Sequence, residues 1–130
     1  MNKQDQIDFW KISAGKSLTP AKSLFETGNY VACLFFLHLS LEQLLKAHWV
    51  KDNVDNVPPK THHLLKLAGE TQLNLDASQI AFLQAINNFQ ILGRYPDDQF
   101  QVYTDFDEPK TKLILDEVEN IFQWLLNKLP

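Results

Sequence analysis

Residues 30–51 read YVACLFFLHLSLEQLLKAHWVK, and this stretch decides the fold. From Tyr30 to about Leu41 it is apolar on nearly every side, with no glycine, proline or turn residue. A helix of that kind is covered by neighbours around most of its circumference, so the spacing predicts a central core helix from Tyr30 to about Lys51. The apolar run is interrupted by His38 and Ser40. It therefore falls short of the roughly 20 apolar residues that cross a bilayer. His38, Glu42 and Lys46 lie four apart and form one polar line on this helix. Burying a charge is costly unless it is paired, so the line faces solvent, a partner subunit or a cleft. The plainest alternative is a solvated stripe, with a Glu42 to Lys46 pair contributing a few tenths of a kcal/mol.

On the N-terminal side, Ile7, Trp10, Ala14, Leu18, Ala21 and Phe25 recur at helical spacing and predict a first helix with one apolar face. Pro20 interrupts it. A proline ring clashes with the carbonyl four residues earlier, here Lys16, so the helix either kinks or restarts with Thr19 as cap. Gly28 supplies a left-handed stop, Asn29 is the expected cap of the core helix, and the tight Thr27 to Asn29 turn makes the two helices antiparallel.

On the C-terminal side, Asp52 to Lys60 is a loop carrying Pro58 and Pro59, and Thr61 is placed to cap a short helix from His62 to about Thr71. Asp76 and Gln79 have capping-box spacing and open a fourth helix with Ile80, Leu83, Ile86 and Phe89, ending at Gly93. Tyr95-Pro96 breaks the pattern. A last helix follows from Pro109 to about Lys128, with Ile114, Val118, Ile121, Phe122, Leu125 and Leu129 on its inner face. The fold class is all-α: an up-and-down four-helix bundle with an additional short helix. No repeat or linker divides it, so residues 1–130 are expected to form a single domain. Trp10, Trp49 and Trp124 are candidates for core or interface.

Composition agrees. A chain of 130 residues with 45% hydrophobic content builds one core without disulfides or metal. The single cysteine, Cys33, sits in the apolar run and reads as a small buried hydrophobe. The start, Met1 to Asp8, is polar and charged, unlike a signal peptide, which points to the cytoplasm and to no membrane association. A net charge of −4 offers no broad field for phosphate backbones, so strong nonspecific nucleic-acid binding is not expected.

Two further polar groups stand out. His62 and His63 follow the proline-rich loop, where a helix start favours anions, and one of the two is placed to touch a phosphate. Neither has a carboxylate or cysteine at metal-ligand spacing. The segment Gly93-Arg94-Tyr95-Pro96-Asp97-Asp98 gathers an arginine and two carboxylates at a helix end. Arg94 there binds phosphate through its paired donors, or caps helix carbonyls and pairs with Asp97 or Asp98. Bundles often host di-metal centres through Glu-x-x-His, and none of Glu26, Glu42, Glu70, Glu108, Glu117 or Glu119 has a histidine three residues on. No glycine-rich phosphate loop or serine nucleophile elbow occurs. No metal or cofactor is implied.

In order along the chain, Ala21 to Tyr30 with its Gly-x-Tyr turn, Glu42 with Leu45-Lys46-Ala47, Pro58 to Leu67 with His62-His63-Leu64, and Arg94-Tyr95-Pro96-Asp97 together resemble the HEPN family. That resemblance implies a helical bundle that commonly forms homodimers, and in many members a partner of small MNT-type nucleotidyltransferases in pairs like those of toxins and antitoxins. Other members bind nucleotides. It implies a site drawn from His38, Glu42, Lys46, His62, Arg94, Tyr95 and Asp97. The chain departs from the family's central-helix pattern at Leu39 and Gln43. The ribonuclease branch carries arginine, four to six residues, then histidine; here those places hold Gln99, Phe100 and Gln101, none a general acid or base near neutral pH. The expectation is therefore a binding module that is not itself catalytic, the alternatives being a ribonuclease with a degenerate motif, in which His62 or His38 replaces the missing group, and a purely structural interaction domain. Tyr103, two residues past Gln101, occupies the place of a tyrosine that such nucleotidyltransferases modify.

Overall fold

The computed structural model describes residues 1–92 and 105–130, the side chains of residues 91 and 92 excepted. The described residues are helical, without strands: α1 Lys3–Glu26, α2 Tyr30–Asp52, α3 Leu64–Gly69, α4 Ala77–Ile86, α5 Phe89–Leu92 and α6 Glu108–Asn127.

Helix α1 begins with a reciprocal cap. The Asn2 side chain accepts from the Asp5 backbone N–H at 2.8 Å, and the Asp5 carboxylate accepts from the Asn2 N–H at 3.3 Å. The helix then runs through Pro20 without restarting, so no new segment begins at Thr19. Thr19 instead turns its hydroxyl back to the Gly15 carbonyl at 3.2 Å. Ile7, Ala14, Ser17 and Ala21 form the buried face, and Trp10, Leu18 and Phe25 lie half-buried at its edges.

Gly28 takes φ of +79°, the left-handed turn expected of it, and Asn29 N–H closes the turn on Leu24 O at 2.8 Å. The Asn29 side chain does not cap α2; it donates to Thr27 Oγ1 at 2.8 Å. The two long helices are antiparallel along their whole length. Near one end Lys3 Nζ donates to the carbonyls of Val50 and Asn53 at 2.6 and 2.7 Å, closing the C-terminus of α2 where a positive charge is favoured. Midway, Ser17 Oγ donates to Gln43 Oε1 at 2.6 Å. Gln43, where the family pattern differs, thus serves the α1–α2 seam.

Helix α6 starts on an Asp107 cap with Pro109 in its first turn. Its early residue Lys112 lies over the Phe25 ring near the α1–α2 turn, while Leu125 near its end accepts a hydrogen bond from His48 at 2.8 Å. It therefore runs in the same sense as α2. Val118, Ile121, Phe122, Leu125 and Leu129 are buried as the spacing predicts, and Leu115 and Thr111 join them; Ile114 is only half-buried.

Helix α2 is the core helix. Leu34, Leu37, Leu41, Leu44 and Leu45 are all essentially inaccessible, each worth about 1.5–3 kcal/mol of burial. At 23 residues and a mean hydropathy of 1.2 it is long and apolar enough to cross a membrane, longer than the apolar run alone suggests, yet 67% of that window is buried inside the protein's own core. Cys33 lies in it as a fully buried free thiol, and burial pushes its pKa up to about 11.

The shorter helices differ from expectation at their ends. Helix α3 starts at Leu64, not His62, because His63 rather than Thr61 caps it, accepting from Lys66 N–H at 3.2 Å. Thr61 Oγ1 accepts from His63 N–H one turn earlier. The Asp76–Gln79 capping box of α4 forms as spaced. The fourth helix breaks at Asn87 and Asn88, poor helix formers, so Phe89 belongs to α5. Its end at Gly93 lies outside the described residues.

Candidate functional site

The polar line on α2 is buried, which excludes the solvated-stripe alternative. His38 is 0%, Glu42 3% and Lys46 7% exposed. Glu42 is the hub. Lys46, one turn on, reaches Oε2 at 3.0 Å, and His62, arriving from the segment before α3, reaches Oε1 with Nδ1 at 2.8 Å. Each carboxylate oxygen therefore has its own cationic or N–H partner, the condition under which a charge is tolerated inside a protein. The Lys46 ammonium also lies 5.3 Å from the centre of the Trp10 ring, so α1 closes the pair off from above.

An ionised carboxylate only accepts, so His62 Nδ1 must carry the proton in this contact. The carboxylate is buried, while the His62 side chain is 51% exposed. The ring is anchored on its inner edge and open on its outer one, and among the described residues its Nε2 has no hydrogen-bond partner.

His38 lies on the other side of the hub, its Nδ1 3.9 Å from Glu42 Oε1. The backbone of His62 and the side chain of Asn87 are close by, yet among the described residues neither ring nitrogen meets a partner at hydrogen-bond geometry. Burial lowers its pKa to about 4, overriding the attraction of Glu42 for the protonated ring. His38 is thus a neutral wall of the site.

Asn87, which the sequence reading passed over, holds the arrangement together. Its Oδ1 accepts from the Leu64 N–H at 2.9 Å, tying the segment that carries His62 to the end of α4. The signal available for it was the Asn-Asn pair interrupting an otherwise helical run. A cavity of about 400 Å³ lined by His63, Leu65, Gln84, Asn87 and Asn88 opens on this side. Helix α3 has only six residues and His62 precedes it, so the anion-favouring helix start expected at His62 is not there.

Four of the expected site residues, His38, Glu42, Lys46 and His62, are thus brought together. Arg94, Tyr95, Asp97 and the candidate modification site Tyr103 lie outside the described residues. Trp10, expected as core or interface, is a lid on the Glu42–Lys46 pair; Trp49 and Trp124 are half-buried against the core.

Comparison with known proteins places this helical frame. The HEPN domain family model matches residues 7–129, and the chain belongs to that family. The crystal structure of TT1696 from Thermus thermophilus is similar in fold, with a TM-score of 0.80 over 99% of this chain and 100% of that one at 19% sequence identity. No curated protein matches.

Proposed function

We propose that this chain is a cytoplasmic HEPN binding module, a single up-and-down four-helix domain with an additional short helix. It takes a nucleotide, or the nucleotide-handling face of a small MNT-type nucleotidyltransferase, at the surface around His62. The protein acts as a homodimer in a pair of the toxin–antitoxin kind and is not itself catalytic. Arg94, with Tyr95 and Asp97, supplies the phosphate contact.

The observation that carries this reading is the Glu42–Lys46–His62 network. Well-packed apolar residues at the same places would commonly be as stable or more so, so a buried ion pair that surfaces at one histidine is an investment that core packing does not require. The cavity beside Asn87, at about 400 Å³, falls within the size range of small-ligand sites, and its wall carries three side-chain amides.

Calorimetric titration of the purified chain with the common nucleoside triphosphates tests the reading. Saturable binding is expected, weakened about tenfold or more by Arg94→Ala, with the unfolding transition nearly unmoved, and by His62→Ala, which also takes the partner from one buried Glu42 oxygen and costs about 1–3 kcal/mol of stability. Unchanged affinity in both variants removes these residues from the site. Co-purification with a small MNT-type nucleotidyltransferase tests the partner.

The buried carboxylate aligning His62 is also what a general base needs, and this favours the ribonuclease alternative as a second reading. Cleavage of RNA by pure protein, abolished by His62→Ala, is its test.

A further inference from the structure

We infer that Glu42 is a positioning residue that holds His62 with its Nε2 lone pair turned outward, and that this nitrogen receives a ribose hydroxyl rather than a phosphate. The inference rests on the nucleotide reading above and adds which part of the ligand meets which atom.

The steps are geometric. Glu42 Oε1 accepts from His62 Nδ1 at 2.8 Å, which puts the proton of a neutral ring on Nδ1. Nε2, on the opposite edge, is then an acceptor. The ring cannot turn over to present Nδ1 without leaving the buried carboxylate deprived of one of its two partners. Charge points the same way. Glu42 is balanced by Lys46 at 3.0 Å, and His38, 3.9 Å from the carboxylate, is neutral, so the cluster behind a neutral His62 has no net charge. A phosphate oxygen offered to the neutral ring at Nε2 would meet lone pair against lone pair. A hydroxyl offered there donates a hydrogen bond and completes a chain from ligand through imidazole to carboxylate and ammonium. Asn87, which ties Leu64 to the end of α4, also lines the cavity of His63, Leu65, Gln84 and Asn88, and the amide side chains there are donors and acceptors suited to the rest of a nucleoside.

Two measurements on the full chain test this. Long-range proton–nitrogen correlation spectra of histidine-labelled protein, taken where the imidazole is neutral, are expected to show His62 protonated on Nδ1. Finding the proton on Nε2 overturns the assignment. The Glu42→Leu/Lys46→Met double variant removes both buried charges and the acceptor together, and it should let His62 move toward the Nε2-protonated form that a free histidine side chain prefers; if it does not fold, the tautomer found in the wild type decides alone. Titration of the nucleoside triphosphates against their 2′-deoxy and 3′-deoxy forms is the second arm. Loss of the contacted hydroxyl should weaken binding about tenfold in the wild type and not at all in His62→Ala. Equal affinity of all three forms for the wild type overturns the ribose assignment while leaving nucleotide binding intact. Absence of binding by every nucleotide overturns the reading it rests on.

Discussion

Helix α2 carries two buried polar regions about two turns apart, and they are built on opposite principles. Around His48 the partners are mostly backbone groups: its Nε2–H donates to the Leu125 carbonyl at 2.8 Å, Lys3 closes the carbonyls of Val50 and Asn53, and Asp52 accepts from the Gln72 N–H at 2.8 Å as well as from Lys51 Nζ at 2.7 Å. Around Glu42 the partners are side chains, Lys46 and His62, and the network ends at a half-exposed ring. A side chain bonded to backbone pins one element to another. A network of side chains is costlier to bury and easier to rearrange, and here it leads to the surface. Burial alone does not separate the two, since His38 and His48 are equally inaccessible.

The sharpest way to break the contrast is to halve the ion pair. Lys46→Ala leaves Glu42 charged in the interior and is expected to lower stability by about 3–5 kcal/mol in urea unfolding, whereas replacing both charges by apolar residues in the Glu42→Leu/Lys46→Met double variant should cost far less. Equal losses would make the pair ordinary packing.

Acid is the next largest lever. Burial holds the His38 ring at about 4, below its ordinary 6.5. The unfolded chain takes up that proton first, so the contribution of His38 is complete above the ordinary value and is lost as pH falls toward the lowered one, by up to roughly 3 kcal/mol. His48 is also lowered, chiefly by burial, and acts in the same direction. Stability measured from about pH 7 down to about pH 4.5 should fall, and His38→Leu should flatten the slope. An unaltered slope in that variant would show that His38 is not the titrating group.

The smallest effect belongs to the pinned region. His48→Leu keeps the bulk but removes one of the two hydrogen bonds to the Leu125 carbonyl, which still accepts from the Lys128 N–H at 3.2 Å, an expected loss of about 1 kcal/mol with ligand binding unaffected. A change in binding there would erase the distinction between the two regions.

Much of this was legible in the residues themselves. Spacing located α1, α2, α4 and α6 because their apolar periodicity is long and caps such as Asp76 with Gln79 are local. The placement of His38, Glu42 and Lys46 on one line was equally visible. What the line faces was not, because the groups that bury it, Trp10 from α1 and His62 from the segment before α3, come from far along the chain. The start of α3 was misplaced because two capping side chains, Thr61 and His63, compete two residues apart, and the tie from Asn87 to Leu64 favours the later one. At Pro20 the residues left a kink or a restart open for a related reason: the packing of Ala14, Ser17 and Ala21 against α2, which carries one helix across the proline, comes from a distant segment.

Cys33 gives the core a built-in clock. Its sulfur is inaccessible and, with a pKa raised to about 11, remains a thiol rather than the reactive thiolate near neutral pH. A thiol reagent therefore reaches it only when the core around α2 opens, and the labelling rate of this one atom reports how often the protein opens.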